Sequence, residues 1–177
     1  MKALTLIQPW AWCVAHAGKD IENRTWLPHE GSVGSYIAIH AGKKLDALTL
    51  DEIVKNKSIA VLGMNEARGV SIKSAIVAVV RVVGVVRPFG PWDRAPFDVV
   101  ARHNASWRAP MSAAWFEGPF GWCLDNVMPI EPLTCSGRQG LWDVPADLMP
   151  ELRRRWLAAS RERCPIRPFA RVSALPR

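Results

Sequence analysis

Between Gly18 and Trp26 the chain reads GKDIENRTW, which sets a lysine, a glutamate three residues later and an arginine two beyond that at a predicted helix exit. Lys19 offers a mobile point charge and Arg24 a planar fork of donors, while Glu22 accepts from an exocyclic amine or takes a proton. Such a set can hold a phosphate or a base edge; the plainer alternative is an ion-pair network on a surface hairpin. Two reaction schemes also fit. Amide hydrolysis needs Lys19 deprotonated, by desolvation or by the neighbouring Arg24, with a carboxylate handling the proton of the water or leaving group. Metal-free RNA cleavage needs a base for the 2′-hydroxyl, Glu22 or His40, and a cation, Lys19 or Arg24, facing the developing phosphorane charge. The same residues suffice to bind a nucleotide and release it unchanged.

Other residues extend or compete with this constellation. His40 lies near the end of the predicted strand Tyr36–Ala41, and Lys43 and Lys44 follow in the next turn; together they suit phosphate contacts and equally suit a solvated turn. Trp12 falls nearly opposite the apolar face of the first helix, free to cover a cleft or to receive the carboxyl-terminal segment. Trp10, Trp26, Trp122 and Trp142 sit in inward helix or strand patterns and read as core. Trp92 and Trp107 occupy a Pro-rich connection, as lids over a base or as anchors of the loop. Glu117, in WFEGPFGW, is available as a second carboxylate and is otherwise a solvated charge. The four cysteines form no CxxC pair and the four histidines show no metal-ligand spacing, so neither a metal nor a cofactor is expected, and free thiols suit a reducing cytoplasm.

The elements that must position these residues follow from periodicity and punctuation. Leu4–Ile7 reads as a strand, and Pro9 to Ala17 as a helix ended by Gly18, with Trp10, Cys13, Val14 and Ala17 on its inner face. Ile21–Trp26 reads as extended, which places Glu22, Arg24 and Trp26 on one side. A strand over Tyr36–Ala41, a helix over about Asp46–Lys55, a loop over Asn56–Ser74 and a strand over Ala75–Val86 come next; the last is apolar on both faces and bent at Gly84. Beyond the Arg87–Pro119 connection, strands are expected over about Gly121–Val127, Ile130–Cys135 and Gly140–Val144. Strands dominate the centre, which favours a small closed sheet with peripheral helices over a doubly wound one. Met149, Leu152, Trp156 and Ala159 recur at helical spacing, and the segment after Cys164 reads as extended.

Composition bounds the reading. The 177 residues are 49% hydrophobic and 22% charged, enough apolar material for a core without disulfide or metal. No signal peptide is legible at the amino terminus, and the apolar run Ala75–Val86 carries Arg81 and is too short to span a membrane. The net charge of +7 is unevenly placed: residues 1–150 carry +1 and residues 151–177 carry +6. The Arg-rich end is therefore the part suited to non-specific polyanion contact, and trimming it after Leu148 is expected to weaken that contact more than recognition in the cleft.

The segments LTLIQPWAW, GKDIENRTW, YIAIHAGKK, AIVAVVRVVGVV, GPFGWCLDNV and GRQGLWDVP, in this order, resemble the activating-signal-cointegrator-homology (ASCH) domain family, especially bacterial and phage-like members with an IENRTW signature. The resemblance spans about residues 3–145. Against the motif G-x-K-x-x-E-x-R, Lys19, Glu22 and Arg24 match, while Ala17 stands at the first Gly and Gly18 at the x. The resemblance implies an α+β, PUA-like fold: a small β-barrel with peripheral helices and a cleft beside the motif, in a superfamily associated with RNA and modified-nucleobase recognition. Some members are ribonucleases, and a small bacterial relative hydrolyses the amide of acetylcytidine with the motif Lys, a Thr three residues on and a later Glu. Here Lys19 keeps the lysine and Glu22 stands at the Thr position. The expectation is a cytoplasmic domain over 1–148, with an Arg-rich helix and tail over 149–177. Its cleft would bind RNA or a modified nucleoside through Lys19, Glu22, Arg24, Trp12, His40 and Lys43. The alternatives are a ribonuclease or amidohydrolase with Lys19 and Glu22 as catalytic residues, and a protein-interaction domain with a vestigial cleft. No membrane partner is expected, and the sequence carries no signal for oligomeric state.

Overall fold

The computed structural model describes residues 1–47, 70–88, 97–106 and 115–163. Its spine is a pair of long antiparallel strands, β4 (Ala75–Pro88) and β6 (Phe120–Thr134). On the other side of β4, β3 (Tyr36–Leu45) covers the first half and β5 (Phe97–Arg102) the second. β1 (Lys2–Gln8) runs parallel to β3, β7 (Leu141–Asp143) pairs with the start of β1, and β2 (Ile21–Arg24) pairs with the start of β6. The order is β2-β6-β4-β3-β1-β7, a mixed sheet of seven strands with β5 off the main path. Two helices, α1 (Trp10–His16) and α2 (Met149–Arg163), complete the described α+β fold.

Side-chain alternation builds a core on each face of the sheet. Leu4 and Leu6 of β1 pack with Ile37, Ile39 and Ala41 of β3 on the face that α1 covers, through Ala11 and Val14. The intervening Ala3 and Ala38 turn to the opposite face, where Ile76, Val79 and Trp142 meet Leu152 of α2. β4 is buried on both sides, as its apolar run predicts, and three register shifts against β6, one of them between Val82 and Gly84, bend it.

The expected closed barrel is not formed. Among the described residues no ladder joins β2 to β1 or β7, so the sheet is open. The reason lies in strand length: β2 has four residues and β7 three, and β7 covers only Lys2–Leu4 of β1. The backbone edge of β1 beyond Leu4 therefore faces β2 across a gap instead of through a ladder, and the Arg24 side chain crosses it to the Thr5 carbonyl, 3.4 Å away.

Three further expectations change. The two strands predicted over Gly121–Val127 and Ile130–Cys135 are one, because Asn126 adopts a positive φ of 48° and bulges against β4 absorb the irregularity around Pro129. β5 lies inside the connection read as irregular. On α1, Trp12 is buried with Cys13 and Val70, whereas Trp10 is half-buried: a seven-residue helix covered at five positions has no single inner face to predict. The helix expected over Asp46–Lys55 and the loop over Asn56–Ser74 lie largely outside the described residues, as do Trp92, Trp107 and the segment from Cys164 onward. No helix of the described residues is long and apolar enough to cross a membrane.

Candidate functional site

The gap between β1 and β2 is a cleft of about 350 Å³. Thr5, Leu6 and Ile7 form one wall, Glu22, Asn23 and Arg24 the other, Trp10 and Lys19 join them, and Glu117 completes the lining. The site thus occupies the seam that the sheet leaves open.

Gly18 brings Lys19 there. With φ at +69° it adopts a conformation that only glycine takes freely, and the Lys19 amide returns to the Cys13 carbonyl at 3.1 Å. The side chain is 2% exposed. Its Nζ donates to the Ile21 carbonyl and to Glu22 Oε2 (3.1 Å), and lies 5.5 Å from the centroid of the Trp10 ring. Glu22 Oε1 is 3.1 Å from Arg24 Nη2, so one carboxylate bridges two cations, Lys19 three residues before it and Arg24 two residues after it on the same side of the strand, as the extended spacing predicts for Glu22 and Arg24. Burying such charges is tolerable only with this degree of pairing. The network is not completed internally: Arg24 Nε is buried and has no acceptor among the described residues.

Asn23 is a part that reasoning from charges passes over. Its Nδ2 donates to the Trp115 carbonyl and its Oδ1 accepts from the Glu117 amide, both at 2.9 Å. A short side-chain amide reads and holds another segment's backbone in this way. The clamp fixes the 115–117 segment against β2 and places Glu117, itself exposed, at the cleft. The only sequence signal was a short amide between two charged residues of a strand.

The other candidates lie elsewhere. Trp12 lines a separate depression with His16, Ile72 and Pro132, and Trp10 takes the place at the cleft. Lys43 is exposed near the end of β3, outside the cleft lining, and Lys44 beside it is exposed too. His40 pairs in register with Thr5 and packs edge-on to Trp142, on the sheet face opposite Ile39. It is 1% exposed; one ring nitrogen, Nε2, meets the Cys135 carbonyl at 3.1 Å, while Nδ1 is buried without a partner. Burial pushes the His40 pKa below its usual value, and the Cys135 hydrogen bond opposes this only in part. Burial, and secondarily the charge of Asp20, push the Cys123 thiol up to about 12, which leaves it inert as a nucleophile. Among the described residues no group of three or more His, Cys, Asp or Glu is arranged to hold a metal.

The state of His40 has a consequence for stability. Its folded pKa lies below the ordinary 6.5, so on acidification the unfolded chain takes up the proton first. This contribution to stability is complete above about pH 6.5 and is lost as the pH falls from there through the folded value. Urea unfolding at pH 7.5 and 5.5 should show a loss on acidification that His40→Gln reduces; equal losses in the two proteins would mean that His40 is solvated.

No family model matches the chain, and no curated protein matches it in sequence. Among solved structures it is similar to a crystal structure of ASCH from Zymomonas mobilis, at 14% identity and a TM-score of 0.47, over 86% of this chain and 93% of that one.

Proposed function

We propose that this chain is an ASCH-type domain that binds RNA or a modified nucleobase, with one base seated in the seam between β1 and β2. The observation that carries the reading is the buried Arg24 Nε with no acceptor, on a side chain that lines the cleft. A ligand acceptor satisfies it, and a buried donor left unmade costs about 1–3 kcal/mol. Lys19 and Arg24 are balanced by Glu22 and Glu117 along the lining, so the seam suits a neutral polar ring with donors and acceptors better than a bare phosphate. Trp10 supplies an aromatic surface, and the volume is of nucleoside size.

Binding without turnover is favoured over hydrolysis by the hydrogen bonds of Lys19. Its Nζ already donates to the Ile21 carbonyl and to Glu22, so the two groups that a hydrolytic step would draw on are engaged with each other inside the fold. Calorimetric titration with the four ribonucleosides and N4-acetylcytidine tests the reading. At least one should bind, and Arg24→Lys, which keeps the charge but removes the planar fork, should weaken that binding about tenfold. Acetate release from acetylcytidine, or shortening of an RNA oligomer, abolished by Lys19→Ala would establish the hydrolase instead. Failure of every nucleoside and of RNA to bind would leave a protein-interaction domain.

A further inference from the structure

We infer that Glu117 reads the sugar at the mouth of the seam, and that the ligand is therefore a nucleoside whose 2′- and 3′-hydroxyls are both free. Such a group is a free ribonucleoside or the 3′-terminal residue of an RNA, and not a nucleotide inside a chain. This holds only if the seam seats a base, as proposed above. Lys19, Glu22 and the Arg24 Nε are buried, whereas Ile7 and Glu117 are exposed, so the lining runs from a closed end at Lys19 to a rim at Glu117. A base whose acceptor satisfies Arg24 Nε occupies the closed end, and the sugar attached to it stands at the rim.

The segment that carries Glu117 is anchored more firmly than a solvated charge requires. Trp115 and Phe116 pack with Ile21, Val83, Val86 and Cys123. A Cβ at Gly121 would stand 2.8 Å from Phe116 Cδ2, so β6 admits that ring by carrying no side chain there. Asn23 holds the main chain on either side of Phe116, through the Trp115 carbonyl and the Glu117 amide. What this leaves at the cleft is a carboxylate that makes no hydrogen bond or ion pair with any described residue. Ionised, it only accepts, and its two oxygens suit the two hydroxyls of a vicinal diol. The same charge opposes a phosphate. Lys19 is buried on Glu22, and Arg24 is tied to Glu22 and the Thr5 carbonyl, so the cations of the lining are engaged inward while the rim carries the negative charge. A phosphoryl group on the 3′-oxygen would remove one hydroxyl and stand beside Glu117.

The four ribonucleosides and N4-acetylcytidine should be titrated into the full chain, each with its 2′-deoxy form and its 3′-monophosphate. For the best binder, the deoxy form should bind about tenfold more weakly and the 3′-monophosphate at least as weakly. Glu117→Gln should bring the three ligands within about threefold of one another, weakening the nucleoside and strengthening the 3′-monophosphate. Asn23→Ala, which releases the segment, should shrink the deoxy penalty in the same direction. These ratios are what a merely structural role does not move. A hexaribonucleotide ending in the best nucleoside separates the two sources: competition by its 3′-hydroxyl form assigns RNA ends, and no competition assigns the free nucleoside. Competition by its 3′-phosphorylated form overturns the inference. Equal affinity for the three small ligands, or equal losses for all three in Glu117→Gln, overturns the role of Glu117 and leaves the seam standing. Absence of any nucleoside binding overturns the seam and the role of Glu117 together. Thermal unfolding of both variants separates these outcomes from a folding defect.

Discussion

Lys19→Met lowers the free energy of unfolding by about 3 kcal/mol, the low end of the 3–5 kcal/mol typical when one partner of a buried ion pair is removed. Methionine fills much of the same volume, so the loss is electrostatic. Glu22 keeps Arg24 at 3.1 Å but loses the ammonium at the same distance, and the Ile21 carbonyl loses its donor. The effect stays at the low end because Arg24 still neutralises the carboxylate. Urea unfolding of Lys19→Met, Glu22→Gln and the double variant checks the origin: the double variant should lie closer to wild type than the sum of the two single losses. A loss below about 1 kcal/mol is what a solvated surface pair gives, and it would return the segment to the ion-paired hairpin that its charges alone allow.

That alternative was open in the sequence because spacing shows which side chains share a side of a strand and not how deeply the strand is buried. Glu22 and Arg24 at period two are legible, and their shared face is where Glu22 bridges the two cations. Burial depends on Trp10, on the β1 edge and on the 115–117 segment, which come together only when the chain closes on itself. His40 shows the same limit from the other side. Its place on β3 was readable, but the cleft opens at the outer edge of β1 and β3 pairs along the other edge, so His40 packs beside Thr5 and Trp142 one strand in from the cleft. The barrel expectation failed on strand length: four residues in β2 and three in β7 leave the sheet without partners to close it, and that shortfall makes the cleft.

The uneven charge takes on a different meaning with α2 in place. Leu152 is fully buried, in one core with Ala3, Ile76 and Trp142, and Arg155 donates to the Glu131 carbonyl at 3.1 Å. Cutting the chain after Leu148 opens that core, so loss of RNA affinity after such a cut would not separate charge from folding. Point substitution on the exposed side of α2 makes the separation, because Arg153 and Arg161 leave the docked stripe untouched. The helix thus carries much of the positive excess while sealing one face of the sheet.

Gly137→Ala destabilises the fold by about 3 kcal/mol, the upper end of the cost of overpacking a filled site. A Cβ at this position would stand 2.5 Å from His40 Nδ1, closer still to Cε1, and 2.8 Å from Thr5 Oγ1. Neither neighbour has room to withdraw. The His40 ring is held by the Cys135 carbonyl at Nε2 and by the edge-on Trp142, and Thr5 Oγ1 accepts from Trp142 Nε1 at 3.0 Å. The segment between β6 and β7 therefore lies against the imidazole with only a glycine's thickness between them. Because the clash is with one ring, removing the ring should relieve it: Gly137→Ala in a His40→Ala background should cost at least about 1 kcal/mol less than in wild type. Equal costs in the two backgrounds would place the strain in the backbone of the 135–140 segment. A cost below about 0.5 kcal/mol would mean that the segment is not pressed onto the ring, and the unpartnered Nδ1 would then be open to water.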